Sequence, residues 1–318
     1  MKLTLKSGLI FSLLVVFCFS LIVCDGSNKD DKKPTFVLCP KSLSNPYWFA
    51  VEKGMKDAAA KLDVNVEFLG PVQADVAQQV TIIESLIARK IDGLAISPND
   101  PDGIKEIITR AMKNGIPTLT FDSDSPESQR IAYIGTDNYN AGREAGKQMI
   151  KYLNGEGKIA VLTGGLGALN LNQRIAGFRD VLKEENADIV EVALEACDDD
   201  NNRALNLMED VSRSHPELDG WFVTGCWALI SPKAAVMNAL GNRNNIALVG
   251  FDTLDEELSL VKDGTVNALV GQRPYDMGYK CVEVLYDIVV NKKMPEKEII
   301  DTGVDVVTLD NVDQFLSK

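Results

Sequence analysis

Residues 116–142 read IPTLTFDSDSPESQRIAYIGTDNYNAG, and the rest of the chain divides into halves around them. Residues 116–121 are apolar and β-branched, the pattern of a strand buried on both faces of a parallel sheet. The run stops at Asp122-Ser123-Asp124, which sets two carboxylates where a strand's carboxyl end opens into a crevice. A second apolar run at 131–134 leads through Gly135-Thr136-Asp137-Asn138 into a helix that begins a new series of strand–helix units. A polar strand end followed by a passage between two such series is the layout of a two-lobed ligand trap.

Working outward, strands are expected at 36–39, 64–68 and 91–97, with helices at 47–62, 76–89 and 104–113. In the second half, apolar runs at 159–162, 189–192, 221–223, 247–251 and 268–270 alternate with helical patterns. Such alternation predicts an α/β protein of two doubly wound, Rossmann-like lobes, parallel sheets with helices on both faces.

The 318 residues carry a net charge of −13, and no stretch gathers enough Lys and Arg to follow a phosphate backbone, so nucleic acid is excluded as a partner. Lys2 and Lys6 precede an uncharged, mostly apolar run over 9–23, shorter than the roughly 20 residues that span a bilayer comfortably. Leu21-Ile22-Val23-Cys24 resembles a lipoprotein signal box, in which the Cys is lipidated and becomes the new N-terminus. The expectation is a signal peptide over 1–23, a lipid anchor on Cys24 and a polar tether over 24–33. The protein would then be exported, to the periplasm or cell surface, and touch the membrane only through that anchor. Cys39, Cys197, Cys226 and Cys281 show no metal-ligand spacing and read as free core thiols, although an exported protein can hold a disulfide.

Residues with chemistry to offer gather at the strand ends. Tyr47-Trp48-Phe49 cannot all share one helical face. Phe49 is assigned to the core, and Tyr47 and Trp48 to a ligand, because the apolar face of a sugar ring stacks on such side chains. Asp122 and Asp124 either cap a turn or grip a ligand, and their place beside the passage between halves favours the ligand. Asp252 holds the equivalent strand end in the second half, and Arg174 follows the Gly-rich 163–167. That loop lacks the Lys-Ser/Thr of a phosphate-binding loop and reads as a turn. The acidic run 198–200 lacks calcium-loop spacing and reads as helix capping. His215, the one histidine, precedes Pro216 at a helix end, and no nucleophile–base pair is visible, so neither an enzyme nor a metal or cofactor site is expected.

From about residue 34 to the C-terminus the chain resembles periplasmic sugar-binding proteins of the type I (ribose-binding-like, LacI-related) superfamily, its glucose-binding branch in particular. The likeness rests on Asn45-Pro46-Tyr47-Trp48, Ala95-Ile96-Ser97-Pro98-Asn99-Asp100-Pro101 and Phe121-Asp122-Ser123-Asp124-Ser125-Pro126. It continues in Tyr133-Ile134-Gly135-Thr136-Asp137-Asn138-Tyr139, Arg174-Ile175-Ala176-Gly177-Phe178, Val249-Gly250-Phe251-Asp252-Thr253 and Gly271-Gln272-Arg273-Pro274-Tyr275. The resemblance implies that Asn45, Tyr47 and Trp48 contact the sugar from the first lobe and that Asp122 grips its hydroxyls. Asp124 matches the glucose branch, Arg174, Asp252 and Gln272 supply further polar contacts, and Asn170 is a weaker match to that branch. Gly225-Cys226-Trp227 departs from relatives, which often present an Asn-Asp pair or a Tyr there.

The same resemblance implies three crossings, near Thr136, Gln272 and Asp301, so that 34–136 with 273–301 form one lobe and 137–272 with 302–318 the other. Its expected function is capture of a monosaccharide, a glucose-like hexose or related pentose, by hinge closure and delivery to an ABC-type permease, by a monomer. A sensor passing sugar or a signalling molecule to a chemotaxis or kinase receptor is the alternative, and an exported sugar-modifying enzyme a distant one.

Overall fold

The computed structural model describes residues 32–316. The leader, Cys24 and most of the tether therefore lie outside the described residues. The first sheet is built from β1 (Thr35–Cys39), β2 (Asn65–Phe68), β3 (Gly93–Ile96), β4 (Thr118–Phe121) and β5 (Tyr133–Gly135), connected by α1 (Tyr47–Leu62), α2 (Val76–Arg89) and α3 (Lys105–Lys113). Then α4 (Asn138–Leu153) opens the second series: β6 (Glu156–Thr163), α5 (Leu169–Glu184), β7 (Asp188–Ala196), α6 (Asn201–Ser214), β8 (Gly220–Val223), α7 (Lys233–Ala239), β9 (Ala247–Phe251), α8 (Asp255–Lys262) and β10 (Ala268–Gly271). The chain closes with α9 (Pro274–Val289), β11 (Ile299–Asp301), β12 (Asp305–Thr308) and α10 (Asp313–Leu316).

These strands form two six-stranded sheets, ordered β11-β5-β4-β3-β1-β2 and β12-β10-β9-β8-β6-β7. All pairings are parallel except β10 with β12. The chain passes from one sheet to the other between β5 and α4, back between β10 and α9, and again between β11 and β12. The two-lobe α/β architecture is thus the one the alternation predicts. The sequence reading had no strands at β11 and β12, which are short and half-exposed at the sheet edges and so carry little apolar signal.

Each sheet is covered on both faces, which is why its central strands read as unbroken apolar runs. Side chains alternate across the pleat: Phe36 and Leu38 pack with α1 and α9, while Val37 and Cys39 pack with α2 and α3. The second sheet repeats this, with Ile159 and Val161 toward α4 and α5 and Ala160 and Leu162 toward α6 and α8. Helix starts are fixed by side-chain caps, Asp75 accepting from Gln78 N, Asp137 from Asn140 N and Asp200 from Arg203 N. Cys39, Cys197, Cys226 and Cys281 are buried free thiols. Burial pushes the first two up to about 12, so they behave as inert core residues.

Candidate functional site

Strand ends from both lobes meet in one polar cavity. Asp122 follows β4 and Asp252 follows β9, and both are buried with left-handed backbone, φ 58° and 78°. Each donates its backbone N–H to the neighbouring strand, Asp122 to Ile134 O and Asp252 to Val270 O, both at 3.1 Å. The left-handed backbone turns the chain at each strand's end, and both carboxylates line the cavity. Asp122 Oδ2 accepts from Ser97 Oγ at 2.7 Å, and its Oδ1 accepts from Tyr47 Oη at 3.3 Å. Gln272, at the second crossing, donates Nε2 to Asp252 Oδ1 at 2.7 Å and accepts from Thr136 Oγ1 of the first crossing at 3.2 Å. Burial raises the Asp252 carboxyl to about 6, offset in part by the Arg174 guanidinium and the Gln272 amide.

Arg174 enters from α5. Its guanidinium lies 4.3 Å from the Phe251 ring centroid, donates Nε to Asn138 Oδ1 at 2.9 Å and Nη1 to the Thr224 carbonyl at 2.8 Å. Its buried Nη2 has no hydrogen-bond acceptor among the described residues. A buried donor without an acceptor costs stability unless a water or ligand oxygen supplies one. The position of α5 depends on two glycines: a Cβ on Gly142 would stand 2.0 Å from Arg174 O, and one on Gly177 1.9 Å from Tyr139 O. Only bare backbones let α4 and α5 approach this closely.

The aromatic cluster corrects one expectation. Phe49 is 66% exposed, whereas Tyr47 and Trp48 are buried and line the cavity. Trp48 stands edge-on to Tyr47 and Phe121, with one side left to the cavity. The helix turn that points Tyr47 and Trp48 inward carries Phe49 out, so the one outward aromatic is Phe49. Asn45 accepts from Tyr47 N at 3.0 Å and from Cys226 Sγ, across the lobes, at 3.4 Å.

Asp124 is the second correction. It is absent from the cavity lining, and its carboxylate is held by Arg130 Nε and Nη2, both at 2.7 Å, with Thr120 Oγ1 at 2.5 Å. With an arginine fork and a hydroxyl already bound, it anchors the loop after β4 rather than facing the other lobe. The remaining predicted residues, Asn45, Tyr47, Trp48, Asp122, Asn170, Arg174, Asp252 and Gln272, all line the one cavity.

Of the lining residues not assigned to the site from sequence, three carry charge or an indole. Lys41, after β1, is buried, donates Nζ to Asn170 Oδ1 at 2.7 Å and lies 3.7 Å from Asp122 Oδ2. Burial lowers its pKa, countered by the carboxylates of Asp122 and Asp199. Asp199, part of the acidic run, faces the cavity while its neighbour Asp200 does the capping. Burial raises the Asp199 carboxyl, and Gly164 leaves room for it, since a Cβ there would stand 2.3 Å from Oδ1. Trp227 supplies an aromatic wall from the second lobe, its indole beside the Asp199 carboxylate. A lone loop lysine and an acidic run ordinarily mean solvent, so no sequence signal separated these two. The departure at Gly225-Cys226-Trp227 was the signal for the third.

Asn170 also donates Nδ2 to Asp122 Oδ2 at 3.4 Å, so Lys41, Asn170 and Asp122 form a polar link across the lobes. The space between these side chains is about 40 Å³, against roughly 300–1,000 Å³ for an occupied small-molecule site. A sugar-sized molecule fits here only if lining side chains move apart. Carboxylates, a guanidinium, an ammonium and two indoles around one space suit a small, neutral, many-hydroxyl ring better than a flat or wholly apolar one.

Two six-stranded α/β lobes that meet across a polar cavity define a two-lobed binding protein. The family profile described as "Periplasmic binding protein domain" matches residues 36–293, and the chain belongs to that family. It is 39% identical to an ABC transporter solute binding protein from Burkholderia graminis C4D1M solved with D-arabinose, with a TM-score of 0.83 over 89% of this chain and 98% of that one. It is 33% identical to GanP, a glucose-galactose binding protein from Geobacillus stearothermophilus, with a TM-score of 0.81 over 88% and 99% of the two chains. Among curated relatives, the ribose import binding protein RbsB of Bacillus subtilis is 28% identical over 84% of this chain and 86% of its own.

Proposed function

We propose that the chain is an extracytoplasmic substrate-binding protein that closes around one monosaccharide, a glucose-like hexose or a pentose, and delivers it to an ABC-type permease. The observation that carries this reading is the facing pair Asp122 and Asp252, one from each lobe, with the free Nη2 of Arg174 beside them. Carboxylates accept from ring hydroxyls and the guanidinium donates to a ring or hydroxyl oxygen, while Trp48 and Trp227 cover apolar C–H faces. Names of relatives that bind D-arabinose, glucose and galactose, or ribose support a sugar over other polar ligands. In this reading the lobes are 34–136 with 273–301 and 137–272 with 302–318, hinged at the three crossings. Lipidated Cys24 tethers them to the membrane, so Cys24→Ala releases the protein into the soluble fraction.

A thermal-shift screen against D-arabinose, D-ribose, D-xylose, D-glucose and D-galactose tests the reading. A ligand present at a hundred times its Kd stabilises the native state by about 2.7 kcal/mol, which raises Tm by several degrees. At least one of these sugars is expected to do so. A flat response to all of them, with a shift for an amino acid or nucleoside instead, rejects it.

A further inference from the structure

Beside the polar cavity a groove of about 410 Å³ runs along the boundary of the lobes. Its first-lobe wall is the start of α1, with Pro46, Phe49 and Ala50, and its second-lobe wall is Leu254, Asp255 and Glu256 at the start of α8. Tyr47, Asp252 and Gln272 line both the groove and the inner cavity, so the two spaces adjoin at these side chains. An exposed Phe on its own needs no explanation. Phe49, however, stands over a concave surface continuous with the site, on the turn that sends Tyr47 and Trp48 into it.

We propose that this groove is a second subsite, which takes the neighbouring sugar ring of a disaccharide or other neutral glycoside whose first ring occupies the inner cavity. The inference rests on the sugar-binding reading above. Phe49 and Pro46 present a hydrophobic platform for the C–H face of a ring. Asp255 and Glu256 opposite present exposed carboxylates that accept from its hydroxyls. The same carboxylates repel a phosphate or uronate, so the occupant carries no negative charge. The glycosidic oxygen would pass between Tyr47 and Asp252, where the two spaces adjoin.

Titration calorimetry on the full chain and on Phe49→Ala tests this, with D-glucose, D-xylose and D-arabinose as free sugars. The probes for the groove are maltose, cellobiose, xylobiose and the α- and β-phenyl glycosides of the three sugars. At least one glycoside of a bound monosaccharide is expected to bind the wild type about as tightly as the free sugar. Phe49→Ala, a surface change, is expected to weaken that glycoside about three- to tenfold and leave the free sugar unaffected. Free-sugar binding with every glycoside rejected overturns the subsite while the monosaccharide reading stands. Glycoside binding that is indifferent to Phe49→Ala also overturns it. Binding of a glycoside but of no free sugar supports the subsite and overturns the monosaccharide reading, and binding of neither overturns both.

Discussion

Asp122 and Asp252 occupy the same place in the two lobes: each is the first residue past a parallel strand, each has left-handed backbone, and each donates its N–H to the next strand at 3.1 Å. The strands they donate to, β5 and β10, end at the first two crossings, so carboxylate and crossing are coupled in both lobes through one hydrogen bond. Left-handed φ is tolerated by Asp and Asn and resisted by most other residues.

That geometry selects the substitution. Asp122→Asn and Asp252→Asn keep the turn and the shape but lose the charge, whereas Ala would add backbone strain. Since a hydrogen bond to a charged group is worth about 1.5–3 kcal/mol, each Asn variant is expected to bind sugar about tenfold to a hundredfold more weakly, and Asp122→Asn also to lower Tm, because it leaves buried Lys41 beside a neutral amide. Asp263→Asn, exposed beside Lys233 in the turn after α8, is the control and leaves affinity unaltered. Calorimetry on the three variants reads this out.

Asp252 also sets a pH dependence. Its carboxyl is raised to about 6 in the fold, from an ordinary value near 4 in the unfolded chain. The stability it contributes is therefore present below about pH 4 and lost as pH rises through 6. Asp252→Asn, which stays neutral, is expected to raise the ligand-free Tm at pH 7 and to converge with wild type near pH 4. Sugar hydroxyls donating to the ionised carboxylate favour the charged form. Wild-type affinity is therefore expected to fall about tenfold from pH 7 to pH 5, a slope that Asp252→Asn removes.

Asp124, which does not line the cavity, is expected to affect stability without affinity. Asp124→Ala strands a mostly buried Arg130, which costs about 2–4 kcal/mol of stability, while sugar affinity of the folded protein stays within about twofold. Chemical denaturation and calorimetry on the same preparation separate the two effects.

Gly142→Ala probes the support of the site from outside it. The new methyl meets the Arg174 carbonyl, so α5 must move away from α4 and carry the guanidinium with it. The variant is expected to lose stability by about 1–3 kcal/mol, as overpacked contacts do, and to bind sugar more weakly although it touches no ligand. Restored affinity in Gly142→Ala at wild-type level would separate helix packing from the site.

The strand ends were legible because a buried parallel strand is a continuous apolar run and whatever interrupts it marks its edge; Phe121-Asp122 and Phe251-Asp252 both show this. Helices α1 and α2 have the expected bounds, since their apolar spacing runs unbroken and a left-handed residue ends each. Asp124 was misread because spacing cannot show that Arg130, six residues on, turns back to claim its carboxylate. Phe49 was misread because three adjacent aromatics fix only that one must face out. Lys41 and Asp199 are set by long-range burial: the one reaches Asn170 from 129 residues away, and the other needs the space left by Gly164. Neither distance is written in local sequence.

The chain's three tryptophans give the most direct test of a sugar held between lobes. Trp48 lines the cavity from the first lobe and Trp227 from the second, while Trp221 is fully buried in the second lobe's core, its Nε1 donating to Ser212 Oγ at 3.1 Å. A fluorescence titration with the monosaccharide that raises Tm is expected to give a saturable change fitting one site per chain. The double variant Trp48→Phe, Trp227→Phe, which keeps only Trp221, is expected to be silent. A sugar that stabilises the protein yet leaves wild-type emission unchanged, or an equal response from Trp221 alone, would contradict binding between the lobes.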